Sequence, residues 1–364
     1  MTAIERQLRA ERVPAAERAR LLEDPGFGRV FSEHMVTASF DRSAGWHGAA
    51  VVPFGPLALS PASAVLHYAQ AVFEGLKAYA QPDGSVAVFR PAANAARFAD
   101  SARRLAIPPL PQDLFVAAIE ELVAVDREWV PTGGEASLYL RPLLFADDPA
   151  LPVRPSDRYR FVLMASPVGS YFPRGVAPVT VWLSTDYARA APGGTGAAKC
   201  GGNYGGSLIA QAQAEEHGCD QVVWLDAIEH RLVEELGGMN LFFVERDGGD
   251  VTLVTPPLTG TLLPGIVRDS LLALAPSLGY RAVERVVTVE DWEEGCRSGR
   301  WTETFACGTA AVVTPVGEVR HRGGSWTVGD GAAGEVTLAV RRALLELQTG
   351  RAADPHGWMH RLTA

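Results

Sequence analysis

The sequence predicts a two-domain fold of mixed α/β (α+β) class, and three observations carry that prediction. Its 364 residues exceed what one ordinary core holds. Strand-like and helix-like segments are mixed along both halves of the chain. Between the halves, the stretch 167–178 carries Gly169, Pro173, Gly175 and two aromatics, the composition of a linker. The expected organisation is a smaller N-terminal α/β domain at 1–168, an interdomain loop at 169–178, and a larger C-terminal domain at 179–364.

Each element has its own signal. Residues 1–24 alternate charge with Ile4, Leu8, Val13, Leu21 and Leu22, which suits a peripheral helix or a partly ordered arm ended by Pro25-Gly26. The run 49–59 reads as strand through Val51, Val52 and Phe54. Residues 63–72 read as helix, and 85–89 as a strand after an Asp83-Gly84 turn. Residues 94–105 and 114–125 are amphipathic helices; Leu114, Ala117, Ala118, Leu122 and Val125 fall close to one face. Strands follow at 137–145 and 159–165. Past the linker, 179–184, 221–225, 241–245 and 251–254 read as strands, and 207–216 as helix. A helix at 263–274 starts through Pro264-Gly265. A strand at 310–316 and a helix at 335–349 close the pattern.

Composition narrows the function classes. Charged residues at 21 % and hydrophobic ones at 47 % are ordinary for a globular protein. A net charge of −9 argues against a nucleic-acid-binding surface. The four cysteines show no metal-ligand spacing and read as reduced thiols, and the eight histidines form no HxH or HExxH pattern. No apolar run approaches the ~20 residues that cross a bilayer, and the N-terminus lacks the apolar segment of a secretory signal. The expectation is a cytoplasmic protein with no membrane, metal or nucleic-acid partner.

The chemistry concentrates at Gly193-Gly194-Thr195-Gly196-Ala197-Ala198-Lys199-Cys200-Gly201-Gly202-Asn203-Tyr204. A phosphate-binding P-loop needs Gly-Lys-Ser/Thr, but Ala198 precedes the lysine and Cys200 follows it. A dinucleotide fingerprint needs a third glycine where Lys199 stands. Two readings stay open on this segment alone. One is a flexible surface loop with a solvated lysine. The other is a partly desolvated lysine that loses its proton and attacks a carbonyl, a Schiff-base lysine for pyridoxal phosphate.

That cofactor sets further needs. Its ring nitrogen needs an acidic partner, and Glu234-Glu235 supplies two carboxylates, whose bland alternative is a pair of solvated turn residues. Its phosphate needs amides and a cation. Leu263 to Arg268 places a helix start after a glycine, Cys307-Gly308-Thr309-Ala310-Ala311 is a second tight turn, and Arg90 and Arg97 flank a helix start. A plain Pro-Gly helix start and a surface ion pair are the rival readings there.

Together these segments resemble the branched-chain-amino-acid aminotransferases among the fold-type-IV pyridoxal phosphate enzymes. The resemblance rests on Leu66-His67-Tyr68, Phe73-Glu74-Gly75-Leu76-Lys77, Leu138-Tyr139-Leu140-Arg141-Pro142, Gly193 to Tyr204, Glu235 to Phe242, Leu263 to Arg268 and Gly308 to Pro315. It spans the chain from about Phe27 to His360 and looks closest to actinobacterial-type members. It implies that Lys199 carries the cofactor and shuttles the proton, that Glu235 pairs with the pyridine nitrogen, and that Tyr204 bonds the phenolic oxygen. It implies a phosphate held by Arg97, Ile266, Val267 and Thr309. The substrate α-carboxylate falls to Thr309, Ala310 and Tyr139, the glutamate γ-carboxylate to Arg141, and the side chain to Tyr68, Phe73 and Tyr171. Leu151 and Val153 match a loop that the partner subunit of a homodimer lends in that family.

The implied reaction transfers the amino group of leucine, isoleucine or valine to 2-oxoglutarate. A D-amino-acid transaminase or aminodeoxychorismate lyase of the same fold is the alternative. Two departures from animal relatives stand out: Ala311 and Thr314 stand where a redox-active cysteine pair occurs, and Gly238 where threonine is common.

Overall fold

The helices start where the sequence supplies start signals. Pro91 opens the helix Pro91–Arg104, at a position where its missing N–H has no helical partner to lose. Gly265 precedes the helix Ile266–Leu274, and a reciprocal Thr288–Asp291 capping box opens Val289–Arg297. The computed structural model describes residues 4–169 and 176–362. Two compact units result, one of Met1–Pro173, Ala198–Gly201 and Glu346–Ala364, the other of Arg174–Ala197 and Gly202–Leu345.

In the first unit the strands are β1 (Glu5–Arg6), β2 (His34–Asp41), β3 (Gly45–Pro53), β4 (Ala71–Phe73), β5 (Leu76–Ala80), β6 (Val86–Phe89), β7 (Ser137–Ala146) and β8 (Arg158–Val168). They order as β1-β3-β2-β8-β7-β5-β6, the strand Met359–Leu362 extends the sheet beside β6, and β4 also pairs with β7. Pairing is antiparallel except where β1 runs parallel to β3. The helices Pro91–Arg104 and Gln112–Val125 bury Phe98, Phe115, Ile119 and Leu122 with Leu138, Leu140 and Phe161 of the sheet.

The second unit holds β9 (Val179–Leu183), β10 (Gln221–Leu225), β11 (Val233–Leu236), β12 (Met239–Asp247), β13 (Asp250–Thr255), β14 (Arg281–Glu284), β15 (Trp301–Gly308), β16 (Val312–His321) and β17 (Gly324–Thr327). Their order is β11-β10-β9-β16-β15-β12-β13-β14, with β17 beside β16. Its core packs Phe243 against Trp292 and Trp301, with Trp326 edge-on to Trp292.

Several elements differ from expectation. The helix expected over 63–72 stops at Tyr68, because Ala69 turns left-handed (φ 49°) and Val72 joins β4. The strand expected at 49–59 starts at Gly45 and ends at Pro53. The helix expected from 263 begins at Ile266, and the strand expected from 310 begins at Val312. The arm at 1–24 contributes both a short strand and the helix Ala15–Glu23. Strands β2, β5, β14 and β15 and the helix Val289–Arg297 were not anticipated. In β2 the polar His34, Thr37 and Ser39 mask the apolar residues of a strand paired on both sides.

Candidate active site

Against 31 arginines the chain has two lysines, Lys77 and Lys199. Lys77 is buried in β5, in register with Tyr139 of β7. Lys199 is half-buried, and its backbone is held twice. Its N–H donates to Ser101 Oγ at 2.9 Å, and its carbonyl accepts the Phe73 N–H at 3.0 Å. The Lys199 Nζ stands 4.8 Å from the centre of the Phe73 ring, and the Arg141 guanidinium lies 5.0 Å from that same ring. A ring face attracts both cations. The solvated-loop reading of the lysine therefore fails.

Glu74, the residue after Phe73, is fully buried. Its Oε1 accepts Arg97 Nε at 2.7 Å; its Oε2 accepts Arg97 Nη2 at 2.8 Å, Asn94 Nδ2 at 2.8 Å and the Gly75 N–H at 3.1 Å. Arg97 is thus not in a surface ion pair. It lies on the inward face of its helix with Asn94 and Ser101, three residues before it and four after. Burial pushes the Glu74 carboxyl up, but Arg97 first, then Lys199 and Asn94, hold it below the usual carboxylate range.

Tyr139 lies beside this pair. Its hydroxyl accepts Arg141 Nη2 at 2.8 Å, while the buried Arg141 Nε has no hydrogen-bond partner among the described residues. A Cβ on Gly75 would stand 2.0 Å from the Tyr139 hydroxyl, so glycine makes the room that hydroxyl fills. Tyr68, Leu151 and Val153 are 42 %, 59 % and 84 % exposed, and the Tyr68 hydroxyl donates to the Leu151 carbonyl. Tyr171 lies outside the described residues.

The second unit gathers the other predicted residues. Glu235 is buried in β11, so the solvated-turn alternative fails for it and for Glu234 alike. Glu235 Oε2 pairs with Arg189 Nε at 3.1 Å, and its Oε1 accepts the Leu263 N–H and Asn240 Nδ2. Arg189 in turn donates to the carbonyls of Thr261 at 2.7 Å and Gly196 at 3.3 Å. A Cβ on Gly196 would lie 2.2 Å from the Thr261 carbonyl oxygen, which explains one glycine of the lysine segment. Burial raises the Glu234 carboxyl, whose Oε1 accepts the Thr261 hydroxyl.

Around Glu235 the neighbours are arranged by the sheet. Tyr204 sits on the short helix Gly201–Gly205, and a Cβ on Gly238 would meet its ring at 3.4 Å, an ordinary contact. Asn240 Nδ2 also donates to the Leu263 carbonyl at 3.0 Å, tying β12 to the segment that leads into Ile266 and Val267. The residue before their helix is Gly265, which has no side chain to cap it, and a helix start of that kind suits an anion. Thr309 and Ala310 form the turn between β15 and β16, where Val312 takes a φ of 63°, strained for a β-branched residue.

Sequence reasoning did not single out Glu74, Ser101 or Arg189, which the fold places against Arg97, Lys199 and Glu235 respectively. Glu74 stood in plain view inside the Phe73 to Lys77 motif. Nothing local in sequence joins Arg189 to Glu235, since only the fold brings them together. Among the described residues no cluster fit for a metal occurs, and no helix is long and apolar enough to cross a membrane.

Comparison with known proteins follows the same direction. The model of the family described as amino-transferase class IV matches residues 71–319. The chain is 58 % identical over 348 residues, 95 % of each sequence, to a branched-chain-amino-acid aminotransferase of Mycolicibacterium smegmatis (strain ATCC 700084 / mc(2)155). Among solved structures it is similar to the branched-chain amino acid aminotransferase from Escherichia coli, with a TM-score of 0.72 and 30 % identity, covering 92 % of this chain and 100 % of that one. It is also similar to the T.th. branched-chain amino acid aminotransferase with pyridoxamine 5'-phosphate. That match has a TM-score of 0.75 and 30 % identity, with 92 % and 100 % coverage.

Proposed function

The chain belongs to the class IV aminotransferases, and we propose that Lys199 and the residues grouped around it and around Glu235 perform its reaction. The enzyme is a pyridoxal-phosphate-dependent transaminase of branched-chain amino acids, exchanging their amino group with 2-oxoglutarate. The D-amino-acid and lyase alternatives of the same fold are not favoured.

The residues fit the cofactor by the chemistry of their donor set. Of two lysines, one is half-buried with its amine over the Phe73 ring, which the Arg141 guanidinium shares. A buried carboxylate is fixed by Arg189, and a helix start is left without a side-chain cap. When bound, pyridoxal phosphate supplies an aldehyde for an amine and a ring that accepts the electrons released at the substrate Cα. Lys199 Nζ is the covalent attachment point and the base that carries the Cα proton. Glu235 would hold a proton at the ring nitrogen, and Arg189 aims that carboxyl group. Tyr204 donates to the phenolic oxygen. Arg97, the Ile266 and Val267 amides and Thr309 bind the phosphate.

For the substrate, we assign the α-carboxylate to Thr309, Ala310 and Tyr139. The orphaned Nε of Arg141 is a ready donor to the γ-carboxylate of glutamate. We assign the side-chain pocket to Tyr68, Phe73 and Tyr171, with Leu151 and Val153 lent by the partner of a homodimer. The exposure of that last group on one chain is what supports the lending. Sedimentation at the mass of one chain would remove it. We place the enzyme in the cytoplasm, since its four cysteines are free thiols and a reducing compartment keeps them so.

The observation that carries the proposal is the Lys199 backbone held by Ser101 and Phe73, with its amine over the Phe73 ring. A panel of amino donors with 2-oxoglutarate tests it. L-leucine, L-isoleucine and L-valine should react and D-alanine should not; activity confined to D-alanine would reverse the assignment.

A further inference from the structure

We propose that Glu74 is a positioning residue of the reaction, fixing the Arg97 guanidinium and supplying the countercharge of the Lys199 amine. The inference rests on the transaminase reading and extends it to a residue with no role so far.

The geometry converges on this one carboxylate. Arg97 approaches it with Nε and Nη2 in parallel, 2.7 and 2.8 Å from the two oxygens. Such a forked pair fixes the plane of a guanidinium, which a single bond does not. Asn94 and the Gly75 N–H complete the shell at 2.8 and 3.1 Å, so the carboxylate itself cannot swing. The same helix that presents Asn94 and Arg97 presents Ser101, which holds the Lys199 backbone. On the other side Phe73, the residue before Glu74, binds the Lys199 carbonyl and underlies its amine. Lysine, arginine and carboxylate are therefore one rigid assembly.

Charge completes the case. Arg97, Lys199 and Arg141 bring cationic charge to this assembly, and Glu74 is the anion that faces Arg97. A fully buried ion pair is weak evidence for a stabilising role, because desolvation offsets the attraction. Its use here is placement. The Lys199 charge also contributes to keeping the Glu74 carboxyl ionised. Glu74→Gln therefore removes negative charge from a place that gathers Arg97, Arg141 and Lys199.

The test titrates the visible absorbance of the holoenzyme against pH in wild type, Glu74→Gln and Glu74→Asp. Cofactor dissociation constants and the melting of the cofactor-free proteins are measured beside it. Glutamine keeps the shape but loses the charge and one of the two parallel bonds. The midpoint should fall by about one pH unit, since an opposite charge nearby is worth roughly that much, and the cofactor should bind about tenfold more weakly. Aspartate retains the charge but withdraws it, so its midpoint should fall less. A merely structural ion pair predicts lower melting temperatures with every midpoint at the wild-type value, and that result overturns the proposal. If Glu74→Gln does not fold, Glu74→Asp decides by the same criterion. A wild-type protein that gains no visible band with pyridoxal phosphate overturns the transaminase reading itself, and this proposal with it.

Discussion

At the scale of single residues, Gly75 shows how a missing atom places a functional group. Its hydrogen lets the Tyr139 hydroxyl stand where a Cβ would be 2.0 Å away, and that hydroxyl accepts Arg141. Tyr139 is buried and has little freedom to yield. Gly75→Ala should therefore displace the hydroxyl and Arg141 together while leaving Lys199 in place. The expected outcome is KM for the amino donor raised about tenfold with kcat changed far less, the signature of lost ground-state binding; a kcat loss at unchanged KM would contradict it. Lys199, Tyr204, Glu235 and the helix start at Ile266 and Val267 could be proposed from sequence because each residue type the cofactor requires sits in an ordered local motif. Glu74 and Arg189 were not, since their roles come from partners 23 and 46 residues away. A carboxylate or guanidinium in sequence does not reveal whether it is buried, or against what.

At the scale of elements, the helix Pro91–Arg104 works as a template whose inward stripe of Asn94, Arg97 and Ser101 reaches both Glu74 and the Lys199 backbone. The N-terminal arm is fastened by a second buried cluster. Glu33 accepts the Val13 N–H at 2.6 Å and Trp129 Nε1 at 3.0 Å, with Arg12 Nε 3.1 Å away. His34 Nε2 accepts the Arg9 N–H at 3.0 Å, which leaves Nδ1–H to donate to Asp126 at 2.7 Å. Burial pushes the Glu33 carboxyl up, but Trp129, Val13 and Arg12 bring it below its usual range. A depressed carboxyl contributes stability that is present above its unfolded pKa and lost as pH falls through the folded one. Stability should thus hold from neutral pH down to the ordinary carboxylate range and fall below it. Glu33→Gln should lower neutral-pH stability by about 1–3 kcal/mol and flatten that acid slope, as measured by urea unfolding at several pH values. An unchanged slope would contradict it. The elements most legible in sequence were those with one polar face, such as Gln112–Val125. Among those missed were β2, β5 and β15, where the fold pairs both edges and alternation carries no signal.

At the scale of the whole molecule, the lysine segment is the point where one unit reaches into the other's sequence. Ala198–Gly201 belongs with the N-terminal unit, while the residues on either side of it belong with the second. The two-part organisation was legible from length and from the linker composition. That crossing was not, because no local pattern marks a segment of four residues that packs away from its neighbours. It gives the lysine a backbone held by the helix Pro91–Arg104 and β4, and a chain connection to Tyr204 three residues beyond the segment. The near-complete replacement of lysine by arginine also makes the central claim unusually direct to test. Only Lys77 and Lys199 offer a side-chain amine, so borohydride reduction of the holoenzyme, digestion and mass analysis has two possible answers within the chain. The account predicts the cofactor mass on the peptide containing Lys199 and none on Lys77; cofactor on Lys77, or on neither, would contradict it.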